Sequence, residues 1–395
     1  MALAEADEFA IAGNPSFCRS KTTIEAALRL ANAAGITRVA DISGLDDLAL
    51  CVVSIVRPNS PSLSVSSGKG LNIQSACVSG LMEALELYHA ETFAEWFPFA
   101  EIPDGVHVPP LAALPKASLR RSQPSCWPRM SIGWDIVSGK VTAVPFDLVH
   151  ADFTTEASSQ GDGFIVSSNG LGGGICYSAA VVHGLCEVIE GDAIALFKAS
   201  RPERYSQILW DTVRDPSTRF LYQACSTAGI DAVAWDIRTE LGVPTYYVRL
   251  VESRKDPPTL IQSATDGSAS HLSAEVALRG ALMEAIQTRL MLISGARDDI
   301  RPRSYVNGPG SSIQCREVVP FPAEPASQQM TDDEAVGRLV DQVVRAGFPQ
   351  VVVIDLQSMA RELSFVRVVV PGLEAYPHSV GYSPGSRALA AGINK

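Results

Sequence analysis

The sequence predicts an α+β fold in which helices pack on a mainly antiparallel sheet. Short apolar strands and long amphipathic helices alternate along most of the 395 residues, yet the pattern lacks the regular strand–helix–strand repeat of a parallel sheet. No proline-rich linker is long enough to divide the chain. We therefore expect residues 1–20 to form a flexible amino-terminal arm and residues 21–395 to fold as a single domain.

The first half of the chain gives its elements in order. A helix is expected to begin near Thr22, and short strands are expected within residues 36–58. A serine- and glycine-rich strand and loop at 60–70 leads into a helix that includes residues 79–91. Residues 92–130 are rich in proline and aromatic side chains, so we expect them to be irregular.

The second half continues the same alternation. Its expected elements are a hairpin at 133–150, a strand at 163–168, a glycine loop at 169–174, a long helix at 175–199, a strand-rich section at 231–265, a helix at 273–293, a proline-rich connector at 316–328, a helix from Thr331 to Ala346, and strands at 350–356 and 365–374. Ser138 and Gly139 suit the turn of the hairpin, and the Thr331 side chain suits an N-cap.

Composition and charge exclude several classes of protein. The net charge is −11 and the basic residues form no stripe, which argues against a nucleic-acid partner. The first ten residues, MALAEADEFA, carry acids where a secretory signal carries positive charge, and no apolar run reaches the roughly 18 residues that span a bilayer. The eight cysteines contain no C-x-x-C pair, which favours reduced, buried thiols. We expect a cytoplasmic protein without a membrane partner.

Three predicted helices contain one six-residue pattern, which we call the hexad: Leu, any residue, Glu, two apolar residues, and then Glu or Gln. The three hexads are LMEALE (81–86), LCEVIE (185–190) and LMEAIQ (282–287). The two polar residues of each are about 60° apart around a helix and share one face. Because the flanking residues are apolar, we expect buried helices whose polar side chains point into a common interior. Glu91, by contrast, is expected to face water.

Buried carboxylates suggest a bound cation. An unpaired buried carboxylate costs roughly several kcal/mol, and oxygen ligands from several helices suit Mg²⁺ or Ca²⁺ better than zinc. A nucleoside triphosphate is a common reason for such a metal. Nearby donors suited to phosphate are Lys69, Asn169, Arg279, Arg289 and Arg297. The residues alone indicate a metal–nucleotide site of an unusual type, with ordinary amphipathic helices as the alternative.

The glycine loops add little to this prediction. SGKG (67–70) lacks the spacing of a phosphate-binding loop, and GLGGG (170–174) lacks the full dinucleotide fingerprint. Glycines in these segments are better explained by turns and by close approach of the backbone than by phosphate binding alone.

Six segments together resemble one known family. They are ITRVADISGLD (36–46), IVRPNSPSLSVSSGKG (55–70), SGLMEALELYHAE (79–91), SNGLGGG (168–174), ALRGALMEAIQTRLMLISGARDD (277–299) and VVVPGLE (368–374). They occur in the order typical of the YcaO family and are distributed along the chain from residue 36 to residue 374. The arrangement is particularly similar to stand-alone members that accompany TfuA-type partner proteins.

The resemblance implies a YcaO-type fold around a Mg²⁺–ATP cavity and an ATP-dependent enzyme that modifies a peptide backbone amide. In that family a nucleophile adds to the amide carbonyl, ATP phosphorylates the resulting oxygen, and phosphate leaves. A Cys, Ser or Thr side chain of the peptide gives an azoline, sulfide gives a thioamide, and an amine gives an amidine. The stand-alone layout and the ending AAGINK, which lacks a proline-rich tail, favour thioamide formation with a TfuA-like partner. An azoline-forming cyclodehydratase and a non-catalytic nucleotide- or peptide-binding scaffold are the alternatives, and a homodimer is left open.

The resemblance also implies roles for individual residues. Metal ligands would be Glu83, Glu86, Glu187 and Glu190. Nucleotide contacts would come from Lys69, Ser79, Asn169, Glu284, Gln287, Arg289 and Arg297. The catalytic residues would be Lys69, Glu83, Glu187 and Arg297. Two positions depart from the pattern, since Leu87 and Gly191 stand where many relatives have arginine. Leu87 matches the stand-alone subgroup, but nothing in the sequence accounts for Gly191.

Cysteine-based catalysis is a weaker reading. Cys77 and Cys186 lie in apolar helices, which favours buried structural thiols. His89 and His183 are expected to serve packing or hydrogen bonding rather than to act as bases. His271 is placed at a helix entrance, and whether it lines the cavity is left open.

Overall fold

The fold combines seven helices with three mainly antiparallel sheets in the part of the chain that the computed structural model describes. The described residues are 21–117, 127–154, 162–254, 264–297, 300, 316–322, 330–357, 362–377, 379 and 381–393, with backbone alone for 21–24, 202 and 393. The predicted arm at 1–20 lies outside them. Within them, no helix has the length and apolar character needed to cross a membrane.

The elements are numbered in chain order. The helices are α1 (Lys21–Ala33), α2 (Ile73–Thr92), α3 (Tyr177–Ala199), α4 (Pro216–Thr227), α5 (Ala274–Ser294), α6 (Asp332–Arg345) and α7 (Ser386–Ile393). The strands are β1 (Arg38–Asp41), β2 (Cys51–Val56), β3 (Val65–Gly70), β4 (Phe97–Pro98), β5 (Arg129–Asp135), β6 (Lys140–Pro145), β7 (Leu171–Gly174), β8 (Ser206–Leu209), β9 (Ile230–Asp236), β10 (Thr245–Glu252), β11 (Thr265–Ser270), β12 (Val318–Pro320), β13 (Val352–Asp355) and β14 (Ser364–Val369).

Each sheet carries one long helix. The order β1-β2-β3 forms the first sheet, and α2 packs on β2 and β3. The order β4-β5-β13-β14-β7, with β6 beside β5, forms the second, and α3 packs on β7 and β14. The order β11-β10-β9-β8-β12 forms the third, and α5 packs on β10 and β11. The pair of β12 and β8 is parallel, while the other paired strands of the three sheets are antiparallel. The predicted α+β architecture is confirmed.

Local predictions met with mixed success. The hairpin of β5 and β6 has Gly139 at its turn with φ of +64°. Thr331 caps α6 through a capping box with Glu334. The apolar run at 163–168 is not a strand, and the predicted loop at 169–174 contains strand β7 instead. Part of the predicted connector at 316–328 forms β12.

The prediction that Glu91 faces water is wrong. Its side chain is 3% exposed and forms an ion pair with Arg57. Ser60 and Ser62 donate further hydrogen bonds to the same carboxylate. A buried guanidinium needs a partner of opposite charge, and the carboxyl end of α2 supplies it. The pair fixes the end of α2 to the segment that joins β2 and β3.

Candidate functional site

Three strand–helix units of one design surround a shared interior. They are β3 with α2, β7 with α3, and β11 with α5, and each helix carries one hexad. In each unit a strand glycine lies against the helix backbone, since a Cβ on Gly68, Gly172 or Gly267 would come within 2.1 Å of a main-chain atom of the helix. Close approach, rather than a turn alone, therefore explains these glycines. It also explains why LGGG forms a strand despite its low strand propensity.

The last polar residue of each hexad reaches the strand of the next unit. Three hydrogen bonds make these contacts: from the Gly173 N–H to Glu86 Oε1 (2.8 Å), from Ser268 Oγ to Glu190 Oε1 (2.6 Å), and from Gln287 Nε2 to Ser67 Oγ (2.8 Å). Helix α2 thus contacts β7, α3 contacts β11, and α5 contacts β3. The contacts form a closed ring, so the polar faces of all three hexads meet in one place.

The ring holds an excess of buried acid. Burial raises the pKa of Glu86 and of Glu190 to about 8, with a further rise from Glu83 and from Glu284, respectively. Burial also raises the pKa of Glu83. The pKa of Glu187 is raised well above its ordinary value by burial and, in addition, by the charges of neighbouring carboxylates. The Glu187 side chain is 35% exposed and the Glu284 side chain is 33% exposed. Both carboxylates are therefore partly accessible from the space inside the ring.

Few positive charges offset these acids among the described residues. The Lys69 ammonium lies 3.3 Å from Glu284 Oε2, and both Lys69 and Arg297 lower the pKa of Glu83 by their charge. His183 Nε2 lies 3.8 Å from Glu86 Oε1 and 3.7 Å from Glu187 Oε1. Burial lowers the pKa of His183 to about 4, so its ring is neutral near pH 7. His183 therefore lies among the carboxylates of the ring, beside Glu86 and Glu187.

This donor set fits a metal held jointly with a polyanion. Within the described residues, no group of three His, Cys, Asp or Glu side chains converges closely enough to hold a metal ion alone. Mg²⁺ is commonly bound by one or two carboxylates together with substrate phosphates, so a preformed cage is not required. The uncompensated carboxylates attract cations, and Lys69 and Arg297 are placed to meet negative charge.

Two predicted phosphate contacts need correction because they face away from the ring. Arg289 is 2% exposed, and its Nε donates to Asp46 Oδ2 at 2.6 Å while its Nη2 donates to Glu252 Oε2 at 3.2 Å. Arg289 lies two residues past Gln287, about 200° around the helix, and therefore on the opposite side. Arg279 likewise pairs with Asp215 at 2.9 Å.

The other predicted positions fall on or beside the ring. Ser79 is half-buried one turn before Glu83 on the same side of α2. Leu87 is 3% exposed and packs in the apolar core. The Asn169 side chain lies against Gly191, where an added Cβ would come 2.7 Å from Asn169 Oδ1. Glycine at position 191, in place of the family's arginine, is explained because it leaves room for the Asn169 amide.

Two residues near the ring were missed by sequence reasoning. Arg367 is 1% exposed in β14, and its charge acts on Glu187. A lone arginine inside the apolar run FVRVVV was the available signal. Tyr376 lies close enough to Glu284 and Glu190 for both carboxylates to raise the pKa of its phenol, in addition to the effect of burial.

The environments of the other cysteines and histidines considered above are consistent with structural roles. Cys186 is buried, which raises its thiol pKa to about 12 and keeps it unreactive. Cys77 is half-buried, and burial raises its pKa as well. His89 stacks on Phe365 at 4.1 Å between ring centroids. His271 Nδ1 accepts the Ser273 N–H at 2.9 Å at the entrance of α5.

Sequence comparisons match one family. A family model described as YcaO cyclodehydratase, ATP- and Mg²⁺-binding, matches residues 67–374. An uncharacterized protein from the tfuA 3′ region of Rhizobium leguminosarum bv. trifolii is 33% identical over an alignment of 364 residues that covers 86% of this chain and 84% of that protein. An uncharacterized protein of Methanothermobacter thermautotrophicus is 28% identical over an alignment of 391 residues that covers 93% of this chain and 98% of that protein.

Solved structures share the fold at low identity. YcaO from Methanopyrus kandleri, bound with AMPPCP and Mg²⁺, has a TM-score of 0.69 at 20% identity and covers 96% of this chain and 98% of its own. A heterocyclase in complex with substrate and cofactor has a TM-score of 0.73 at 17% identity, covering 97% of this chain and 56% of that one. A chain of the Escherichia coli microcin synthetase McbBCD complex has a TM-score of 0.55 at 15% identity, covering 87% of this chain and 92% of its own.

Proposed function

The chain belongs to the YcaO family, and from that premise we propose that it activates a peptide backbone amide by ATP-dependent O-phosphorylation. The observation that carries the proposal is the ring of hexads, which gathers carboxylates from three helices around one space. Such an excess of acid suits Mg²⁺ and a triphosphate, and the family is described as binding both.

Each part of the ring has a proposed task. Glu83, Glu86, Glu187 and Glu190 would hold Mg²⁺, and Lys69, Ser79, Asn169, Glu284, Gln287 and Arg297 would contact ATP. When bound, the metal neutralises phosphate charge and orients the γ-phosphate. Lys69 and Arg297 both act on Glu83 by their charge, which places them to stabilise negative charge that develops during transfer.

The reaction needs positioning rather than a covalent enzyme intermediate. A nucleophile adds to the amide carbon, and the former carbonyl oxygen attacks the γ-phosphorus of ATP, releasing ADP. The C–O bond then breaks, and phosphate carries the oxygen away. With sulfide as the nucleophile the product is a thioamide, while a peptide Cys, Ser or Thr side chain gives an azoline.

We favour thioamide formation with a TfuA-like partner protein. Support comes from the 33% identical relative, which is named for its place in a tfuA 3′ region. Cyclodehydration to an azoline is the second candidate, and the family description and the heterocyclase likeness favour it. A peptide or protein is the substrate in both cases.

Purified protein, peptide, sulfide and Mg²⁺–ATP test the proposal directly. Phosphate release that requires both peptide and Mg²⁺ supports amide activation, and its absence with every peptide and partner tried favours a scaffold. Peptide mass separates the two reactions, because exchange of oxygen for sulfur adds about 16 Da whereas loss of water removes about 18 Da.

A further inference from the structure

Arg367 organises the segment that carries Asn169. Its guanidinium donates to three main-chain carbonyls: Nε and Nη2 to Val149 O (3.3 and 3.1 Å), Nη2 to Ser167 O (2.6 Å), and Nη1 to Asn169 O (2.8 Å). The next residue of β14, Val368, donates its N–H to Gly170 O at 2.7 Å. Residues 167–170 are therefore held through three of their carbonyls by two adjacent residues of one strand.

The same segment is confined on its other side by α3. Gly170 has φ of +87°, and a Cβ there would lie 2.4 Å from Val368 O and 2.9 Å from Val188 Cγ2. The Asn169 amide meets α3 at Gly191, beside Glu190 and one turn after Glu187. The backbone of Asn169 is thus fixed from β14, while its side chain is fixed against the helix that carries two of the acids.

We infer that Arg367 is a positioning residue of the site, acting together with Gly191 to hold the Asn169 amide where it meets the nucleotide. The inference rests on the proposed function, in which Asn169 contacts ATP. Arg367 itself touches main-chain carbonyls rather than the nucleotide, so it acts through Asn169.

The shape of arginine is what this task requires. A guanidinium offers donors in a planar fork, so one side chain can serve carbonyls from three positions at once. A lysine keeps the positive charge near Glu187 but has one nitrogen, which cannot reach the same three carbonyls. Arg367→Lys therefore separates the geometric role of the residue from its charge.

The decisive experiment is a double-mutant cycle on nucleotide affinity. Binding of AMPPCP with Mg²⁺ is measured for the wild type, Arg367→Lys, Asn169→Ala and the double variant. Each single variant is expected to weaken binding by about tenfold. The affinity of the double variant should equal that of whichever single variant binds more weakly, because both changes remove the same contact between Asn169 and the nucleotide. Arg57→Lys is the matched control, since it alters an arginine buried outside the ring (4% exposed) and should cost stability without weakening nucleotide binding.

Hydrogen exchange of the nucleotide-free protein gives a second, independent readout. Amides of 167–174 should exchange faster in Arg367→Lys than in the wild type or in Arg57→Lys. Gly191→Ala, which leaves Arg367 intact, should also weaken AMPPCP binding because its Cβ displaces the Asn169 amide; this variant serves if Arg367→Lys does not fold.

The outcomes separate this inference from the proposed function. If Asn169→Ala weakens binding while Arg367→Lys and Gly191→Ala do not, the inference is overturned and the nucleotide site stands. Fully additive losses in the double variant also overturn it, because Arg367 would then act independently of Asn169. If the wild type binds no AMPPCP with Mg²⁺, the proposed function fails, and hydrogen exchange at 167–174 still decides whether Arg367 fixes that segment.

Discussion

Gln287 and Ser67 lie 220 residues apart in the sequence, and the Gln287 amide donates to the Ser67 hydroxyl at 2.8 Å. This bond closes the ring of strand–helix units, because it joins the hexad of α5 to β3, the strand of the first unit. The first polar residue of each hexad is a glutamate, whereas the second is Glu, Glu and then Gln. At this closing position a neutral amide takes the place of a further buried negative charge.

Loss of Glu83 should abolish turnover and spare the fold. Glu83→Ala removes an acid that lies near both Lys69 and Arg297, so we expect at least about a 100-fold loss of Mg²⁺-dependent phosphate release. Circular dichroism and thermal melting should remain close to those of the wild type. Glu101→Ala, at an exposed glutamate between β4 and β5 that makes none of the ring contacts, is the control and should keep full activity. Normal turnover in Glu83→Ala would remove this residue from the metal site.

The metal-free protein should lose stability as the pH rises. Because the pKa values of Glu86 and Glu190 are raised to about 8, the native state keeps protons that the unfolded chain releases near pH 4.5. The free energy of unfolding therefore falls between about pH 4.5 and pH 8 as these acids ionise. Thermal melting at pH 6 and at pH 8.5 measures the effect, and Mg²⁺ with AMPPCP should stabilise the protein more at the higher pH. A metal-free melting temperature that rises over this interval would contradict the prediction.

Two glycine-to-alanine changes should have opposite effects. A Cβ on Gly172 would lie 2.1 Å from Ala180 O, so Gly172→Ala should lower the free energy of unfolding by about 1–3 kcal/mol or more. Gly337 lies within α6 and has no neighbouring atom within 4 Å of an added Cβ. Gly337→Ala should therefore raise the free energy of unfolding by about 0.5–1 kcal/mol. Denaturant titration of both variants checks the pair, and equal destabilisation would argue against the close packing of β7 on α3.

Breaking the ion pair of Arg57 and Glu91 should be costly. Glu91→Ala leaves a guanidinium whose side chain is 5% exposed without its carboxylate, and we expect a loss of about 3–5 kcal/mol in the free energy of unfolding. Replacing both residues by leucine should recover part of that loss, since no buried charge is left behind. Denaturant titration of the single and double variants is the measurement. A single variant as stable as the wild type would show that water reaches Arg57.

Helix phase predicted much of the site. The hexads placed Glu83, Glu187 and Glu284 on buried faces, and the same phase argument, applied to Arg289, places it on the other side of α5. The contacts between units depend on how three sheets fold together, so the bond between Gln287 and Ser67 had no local signal. The strand at 171–174 was missed because strand propensity favours the apolar run before it, whereas packing against α3 selects glycine.

Residues that position other side chains of the site were harder to identify from the sequence. Arg367 could have been noticed as a charge within an apolar strand, but its three carbonyl partners come from distant segments. Gly191 looked like a defect because only the missing arginine was visible in the sequence. Its contact with Asn169 depends on the path of residues 167–170, which periodicity does not determine.

The cyclic order of the contacts has a consequence for biosynthesis. Helix α5 is the last of the three hexad helices to be translated, and it supplies the bond back to β3. A nascent chain that ends before residue 274 has the acids of the first two helices but nothing to complete the enclosure. Under the proposed function, we therefore expect a triphosphate to bind only after α5 has been translated, and we expect a chain truncated before residue 274 to lack the closed ring.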